Sequence, residues 1–251
     1  QETYGMGSNG RYSIDGKSNT NKSWGPKADG LNSITYFDGV TRPFQIIPDN
    51  ASNFFRTGLT ATNSVVLSGN AGNTGLRFTM TDMRNRDIVP NTDMSRDSFN
   101  LRTNTTMGKV DLEFGVNYTN EQVNNRPALG DSKSNVGKNL MTLANTYDQE
   151  WLSNYQDKNG NYYNWNGNDP YNCNPYWDIY KNSNTSSKNI FRLNARAVYN
   201  ITSHFKLQGT VGADMTWMNF EDFKAPTTPG YESGYMQKSS FDNKMYNAEL
   251  L

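Results

Sequence analysis

From residue 59 onward, apolar and polar positions alternate along the chain with period two. Leu76, Phe78 and Met80 alternate with Arg77, Thr79 and Thr81, and Phe99 and Leu101 with Ser98, Asn100 and Arg102. Val110, Leu112, Phe114, Val116 and Tyr118 alternate without exception with Asp111, Glu113, Gly115, Asn117 and Thr119. The pattern resumes with Phe191, Leu193, Ala195, Ala197 and Tyr199, and again with Phe205, Leu207, Gly209, Val211, Ala213 and Met215. An apolar run at Val65, Val66 and Leu67 precedes these segments, and a half-pattern from Phe241 to Leu250 follows them. Such spacing predicts β-strands with one apolar and one polar face.

The seven candidates are long, about 10–12 residues against a usual 5–6. Ten residues at about 3.3 Å rise and about 45° tilt span roughly 23 Å, close to the apolar band of an outer-membrane barrel. Short turns are expected at 70–74, 106–109 and 200–204, and long loops at 84–97, 120–188 and 217–237. Short turns at one end and long loops at the other are the transmembrane barrel arrangement. The polar face carries Arg77, Arg102, Asp111, Glu113, Arg192, Arg196, Lys206 and Asp214, which suits a hydrated lumen better than a dry core. The expected fold is therefore all-β: an antiparallel transmembrane outer-membrane β-barrel with long extracellular loops. Single-chain bacterial barrels close with an even number of at least 8 strands, so about seven strands are expected to be part of a larger barrel. A soluble, secreted all-β glycan-binding module is the alternative.

Two regions stand outside the alternation. Residues 1–57 read as a loop-rich early barrel segment, with a short helix capped by Asn50, running through Phe54 and Phe55 and ended by Gly58. Residues 58–251 hold the transmembrane hairpins, including the large extracellular insertion 120–188. Inside the insertion, Leu140, Leu143, Tyr147, Trp151 and Leu152 have roughly helical spacing, and Lys158-Asn159-Gly160-Asn161 reads as a hairpin turn of the type Asn-Gly favours.

Composition narrows the function. Apolar residues make up 34% of the 251, low for a globular domain but compatible with a barrel whose lipid face takes one residue in two. The 24 Lys and Arg balance 24 Asp and Glu, so a nucleic-acid partner has no electrostatic support. No stretch is apolar enough for a transmembrane helix, and the polar, Gly-rich residues 1–10 show no signal-peptide pattern. The single cysteine, Cys173, has no disulfide partner within the chain and is expected to be an unpaired loop residue. The single histidine, His204, leaves no His-rich metal site and is expected in a solvated turn.

The insertion concentrates aromatic rings among many of the 36 Asn. Rings pack against the apolar faces of sugars, and carboxamides exchange hydrogen bonds with hydroxyls, so this mixture suits glycan or peptide contact. The competing reading is that the rings form the loop's own core or its contact with a partner protein. Asp148 with Glu150, or Asp169 with Asp178, are the acid pairs open to a glycosidase reading, but nothing in the sequence singles one out, and no enzyme activity is expected. The run from Asp157 fails as a calcium loop, because its sixth position is Tyr162 and its twelfth Asn168. Gly5, Gly7 and Gly10 follow no strand and make no phosphate loop. No cofactor or metal is expected. Trp217, Tyr118 and Tyr199 lie near strand ends and fit an interfacial aromatic girdle.

An ordered series of short segments completes the reading: Ser23-Trp24-Gly25-Pro26-Lys27-Ala28-Asp29-Gly30, Pro48-Asp49-Asn50, Asn53-Phe54-Phe55-Arg56-Thr57-Gly58 and Asn63-Ser64-Val65-Val66-Leu67-Ser68-Gly69. Ile88-Val89-Pro90-Asn91-Thr92-Asp93, Asn125-Arg126-Pro127-Ala128, Asn174-Pro175-Tyr176-Trp177 and Pro229-Gly230-Tyr231 follow. In order and spacing the series resembles the early barrel of the SusC/RagA family of TonB-dependent outer-membrane transporters of Bacteroidetes. The resemblance covers nearly the whole chain. It implies import of oligosaccharide or peptide cargo across the outer-membrane lipid. It also implies a SusD-like surface lipoprotein closing over the mouth, and a TonB energy-coupling system acting through a plug that this sequence does not contain. Trp24, Tyr147, Trp151, Tyr163, Trp165, Tyr176 and Trp177 are then the candidates for cargo or lid contact.

Overall fold

The computed structural model describes residues 2–12, 16–167 and 169–251. Gln1 and residues 13–15 of the expected opening loop, and Asn168 of the calcium-loop comparison, lie outside the described residues.

The expected alternation becomes one seven-stranded antiparallel sheet in simple sequence order. Its strands are β3 (Leu59–Ala71), β4 (Thr74–Arg86), β5 (Asp93–Met107), β6 (Val110–Asn124), β7 (Ser183–Asn200), β8 (Lys206–Lys224) and β9 (Tyr235–Leu250). The sheet is open: β3 and β9 are its edges. The strands run to between 13 and 19 residues, longer than the alternation suggested. The connections are correspondingly shorter. Strand pairing ends at Arg86 and restarts at Asp93, and likewise at Asn124 and Ser183, and at Lys224 and Tyr235. The extra length lies beyond the apolar band, where residues are polar throughout, as in 183–189, or apolar ones such as Phe220 and Phe223 fall on opposite faces, so no period of two is left to read.

Register sorts the side chains cleanly. Directly paired residues share a face, and one cross-strand row reads Leu67, Phe78, Leu101, Val116, Leu193, Ala213, Tyr246. Phe114 pairs with Ala195 and Ala195 with Val211 in the next row. These side chains belong to none of the buried clusters. Leu67, Phe114, Val211 and Tyr246 are exposed, and Leu112 and Val116 only partly covered. Tyr199 marks the short-turn end of the apolar face and Trp217 sits where it gives way to Asn189 and Asp242. The opposite face holds Arg77, Arg102, Glu113, Arg192, Arg196 and Asp214.

The long connections gather at one end of the sheet and pack with residues 2–57 into a crown that has its own core. Its largest cluster joins Met6, Tyr36, Phe37 and Phe44 to Leu143, Ala144, Tyr147, Leu152 and Trp165. The opening segment is more ordered than its turn-rich sequence suggests: β1 (Asp29–Thr35) and β2 (Thr41–Gln45) form a hairpin, and Ser52–Phe54 make a single 3-10 turn. Asn50 does not cap that turn. Its carboxamide reaches across to the insertion, donating to the Tyr147 carbonyl and accepting from the Gln149 N–H, both at 2.8 Å. The single helix suggested by spacing over 140–152 is two pieces, α1 (Val136–Thr142) and a 3-10 segment at Gln149–Ser153. Burial of Ala144 and Tyr147 against the opening segment takes the chain out of helix between them. The turn at 158–161 is present, but only Gly160 has positive φ, so it is not the type Asn-Gly favours. The Asp157 carboxylate instead accepts from the Asn159 and Asn161 N–H groups.

Candidate functional site

Within the insertion, α2 (Pro175–Tyr180) carries Tyr176, Trp177 and Tyr180 and the 3-10 segment carries Trp151, while α1 carries no ring. Each helix begins on an asparagine. Asn135 accepts from the Lys138 N–H, and Asn174 from the Tyr176 N–H with Pro175 in the first turn. Asn174 is fully buried, and its Nδ2 donates to the Leu152 carbonyl at 2.9 Å. Its own N–H donates to the Tyr162 hydroxyl, which also accepts from Trp165 Nε1.

The seven rings singled out by the sequence separate into two sets. Tyr147, Trp165 and Trp177 are 0%, 2% and 1% exposed, so they have no free face to offer cargo or lid. Tyr147 packs edge-on against Tyr36 and Trp165. Trp177 donates from Nε1 to Thr228 at 2.7 Å and holds the 225–234 loop against α2. For these three, the crown's own core is their place, because a loop this long must bury apolar area to hold one shape. Trp24, Trp151, Tyr163 and Tyr176 keep accessible surface. Trp24 is 67% exposed beside Tyr4. Trp151 carries the Arg42 guanidinium 4.1 Å above its ring. Hydrogen bonding to Arg42 in turn holds the Asp38 carboxyl below its ordinary range. Tyr163 is tilted against Phe37. Tyr176 donates to Gln149 Oε1 at 2.6 Å, and burial pushes its hydroxyl up to about 12.

Tyr180 was not among the seven. It is 51% exposed and stacks on Tyr155 at 6.0 Å and on Tyr176 at 6.5 Å. The three rings make a strip of near-parallel tyrosine faces on the crown's surface. The signal that finds it is the i, i+4 spacing of Tyr176 and Tyr180 on one helix. Such a strip can stack on flat apolar faces, and hydroxyls at its edge can exchange hydrogen bonds.

The acidic residues raised as possible pairs are engaged separately. Asp148 caps the 3-10 segment through Glu150 N–H, and Asp169 accepts from Tyr171 N–H and Asn172 Nδ2. Asp178 is buried in α2. Its Oδ1 accepts from Asn182 and Ser134, and the Cys173 thiol lies beside the carboxyl. Burial raises Asp178 to about 6 and pushes Cys173 well above its ordinary value. Cys173 is free, as expected, but it is core rather than open loop. His204 is exposed in the turn after β7, with Nδ1 2.9 Å from the Ser203 hydroxyl. Among the described residues, no group of three or more His, Cys, Asp or Glu converges as a metal site, and no helix is long and apolar enough to cross a membrane.

A concave region lies on the polar face of the sheet, where Asn70, Arg77, Arg102, Asn104, Glu113 and Asn194 line a hollow of about 580 Å³. The sequence had marked its arginines only as polar-face residues. Against known proteins, no family model matches the chain, and no curated protein matches it either.

Proposed function

We propose that this chain is barrel wall and extracellular crown of an outer-membrane importer resembling the SusC/RagA transporters. It would take up oligosaccharide or peptide cargo with a SusD-like lipoprotein as lid and a TonB system as energy source. One observation carries the reading: the seven long strands line up one unbroken apolar cross-strand row from Leu67 to Tyr246, flanked by largely apolar rows, that no other described part of the chain covers, while their other face is polar and charged. Soluble monomers rarely leave a contiguous apolar patch beyond about a few hundred Å² open to water. Lipid suits such a face, because its tails are as apolar as leucine. The gathering of the long connections at one end, with short turns at the other, agrees with an outer-membrane orientation. The exposed Trp24 and Tyr180, and the partly exposed Trp151, Tyr163 and Tyr176, would then meet cargo or lid.

The test is electrophoresis of the source protein, from an outer-membrane fraction, with and without boiling. The expected result is a band several times heavier than 28.4 kDa that migrates differently unboiled, with a lipoprotein co-purifying. A soluble band near 28 kDa, indifferent to boiling, would overturn the reading and favour a secreted glycan-binding module.

A further inference from the structure

Arg77 and Arg102 are direct cross-strand partners on the polar face of β4 and β5. Like charges so placed repel and destabilise a sheet unless something neutralises them. Neighbouring arginines of that face have acidic partners: Arg192 with Asp214 at 2.9 Å, Arg196 with Glu113 at 3.3 Å, and Arg96 with Glu121. Neither Arg77 nor Arg102 makes a side-chain hydrogen bond or an ion pair among the described residues. Both line the 580 Å³ hollow. Glu113 is the one carboxylate of that lining, and it is turned to Arg196.

Glycines keep the hollow open. A Cβ at Gly75 would lie 2.3 Å from Asn104 Oδ1, and one at Gly115 2.4 Å from Asn194 Oδ1. The two carboxamides lie over the bare glycine backbone, and they too make no side-chain hydrogen bond among the described residues. Two guanidiniums and two carboxamides with free donors thus surround one concavity.

We propose that Arg77 and Arg102 form a site for the carboxylate or phosphoryl group of a small, hydroxyl-rich solute such as a sugar acid, with Asn104 and Asn194 taking its hydroxyls. A guanidinium fork matches a planar oxyanion bidentately, and only an anion relieves the repulsion between the pair. Carboxamides both donate and accept, as hydroxyls require. The site rests on strand register and needs no membrane; in a barrel it lies on the inner wall, on the cargo's route.

The test is calorimetric titration of the full-length protein, in detergent at low salt, with glucuronate, glucose and inorganic phosphate. Glucuronate is expected to bind about tenfold more tightly than glucose, and phosphate to compete with it. Arg77→Gln and Arg102→Gln should each weaken glucuronate about fivefold, and the pair Arg77→Lys with Arg102→Lys, which keeps charge and loses the fork, about threefold. Lys206→Gln, on the same face but outside the hollow, should stay within about twofold. Without ligand, losing either arginine should leave the melting temperature equal or raised, and glucuronate should raise it less in the Arg77→Gln and Arg102→Gln variants than in the unaltered protein. Equal affinity for glucose and glucuronate, unaltered binding in the glutamine variants, or an equal loss in Lys206→Gln would each overturn the site. A heat-modifiable barrel with no anion preference would leave the transporter reading standing and remove this one. Anion binding by a protein indifferent to boiling would do the reverse.

Discussion

The sheet and the crown are built by opposite means. The sheet has long strands, backbone pairing across every neighbouring pair, and apolar rows with nothing on top of them. The crown has little regular structure, yet holds the buried core: Tyr147, Leu152, Trp165 and Trp177 are almost completely enclosed. Polar groups buried with them are stitched across long sequence distances, as Asn50 is to Tyr147 and Gln149, and Asn182 to Ala225 and Thr228. In the crown the chain supplies its own apolar solvent. On the proposed reading the sheet takes that solvent from lipid, and the difference would separate a part that folds on side-chain packing from a part whose apolar face is covered by another phase.

The contrast predicts where substitutions hurt. Trp177→Ala should cost about 3–5 kcal/mol, since it opens a cavity and removes the buried hydrogen bond to Thr228. Near-UV dichroism should report an early loss of crown structure while the far-UV β signal persists. Loss of both signals together would mean that sheet and crown are one cooperative unit. Phe114→Arg should cost about 2–4 kcal/mol in lipid vesicles, because it places a charge mid-band on the apolar face, against a near-neutral Glu113→Ala. Equal, small costs for the two would show that both faces meet water.

Asp178 offers a pH handle on the crown alone. Its pKa is about 6 in the folded protein against an ordinary 3.8, so the folded state disfavours the ionised carboxyl. The penalty is absent below about pH 4, grows as pH rises through the folded value, and is fully present above it, at most about 3 kcal/mol. The crown should therefore melt at lower temperature at pH 7.5 than at pH 4.5, and Asp178→Asn should flatten that part of the profile. A profile unchanged by Asp178→Asn would place the pH dependence elsewhere. The smallest effect is expected at Trp24→Ala, within about 0.5 kcal/mol in thermal melts because the ring is mostly exposed. A larger loss would mean that Trp24 belongs to the crown's packing.

The sheet was legible because two different surroundings write a period of two into the chain, as the unbroken run from Val110 to Tyr118 shows. Legibility stopped where the surroundings became alike. Residues 183–189 and 219–224 are paired strand, yet the first stretch is polar throughout and the second puts Phe220 and Phe223 on opposite faces, so neither shows a period of two and both read as loop. The crown was illegible for the opposite reason. Tyr147 and Trp177 are buried by contacts with distant segments, and no local period records whether a ring faces Thr228 or solvent. Composition alone brought the aromatic insertion into view, without separating core rings from the exposed Tyr180. Arg77 and Arg102 were visible as polar-face residues, but their juxtaposition needed the register of two strands.

The central claim is that the two faces of the sheet meet different solvents. Nitroxide labels on Phe114→Cys and Glu113→Cys, in the full-length protein in bilayers, test it directly, with Cys173 too buried to react. The account predicts that the label at 114 is relaxed by oxygen and shielded from a water-soluble nickel chelate, and that the label at 113 behaves the opposite way. Both labels open to the chelate, or both shielded from it, would contradict the account.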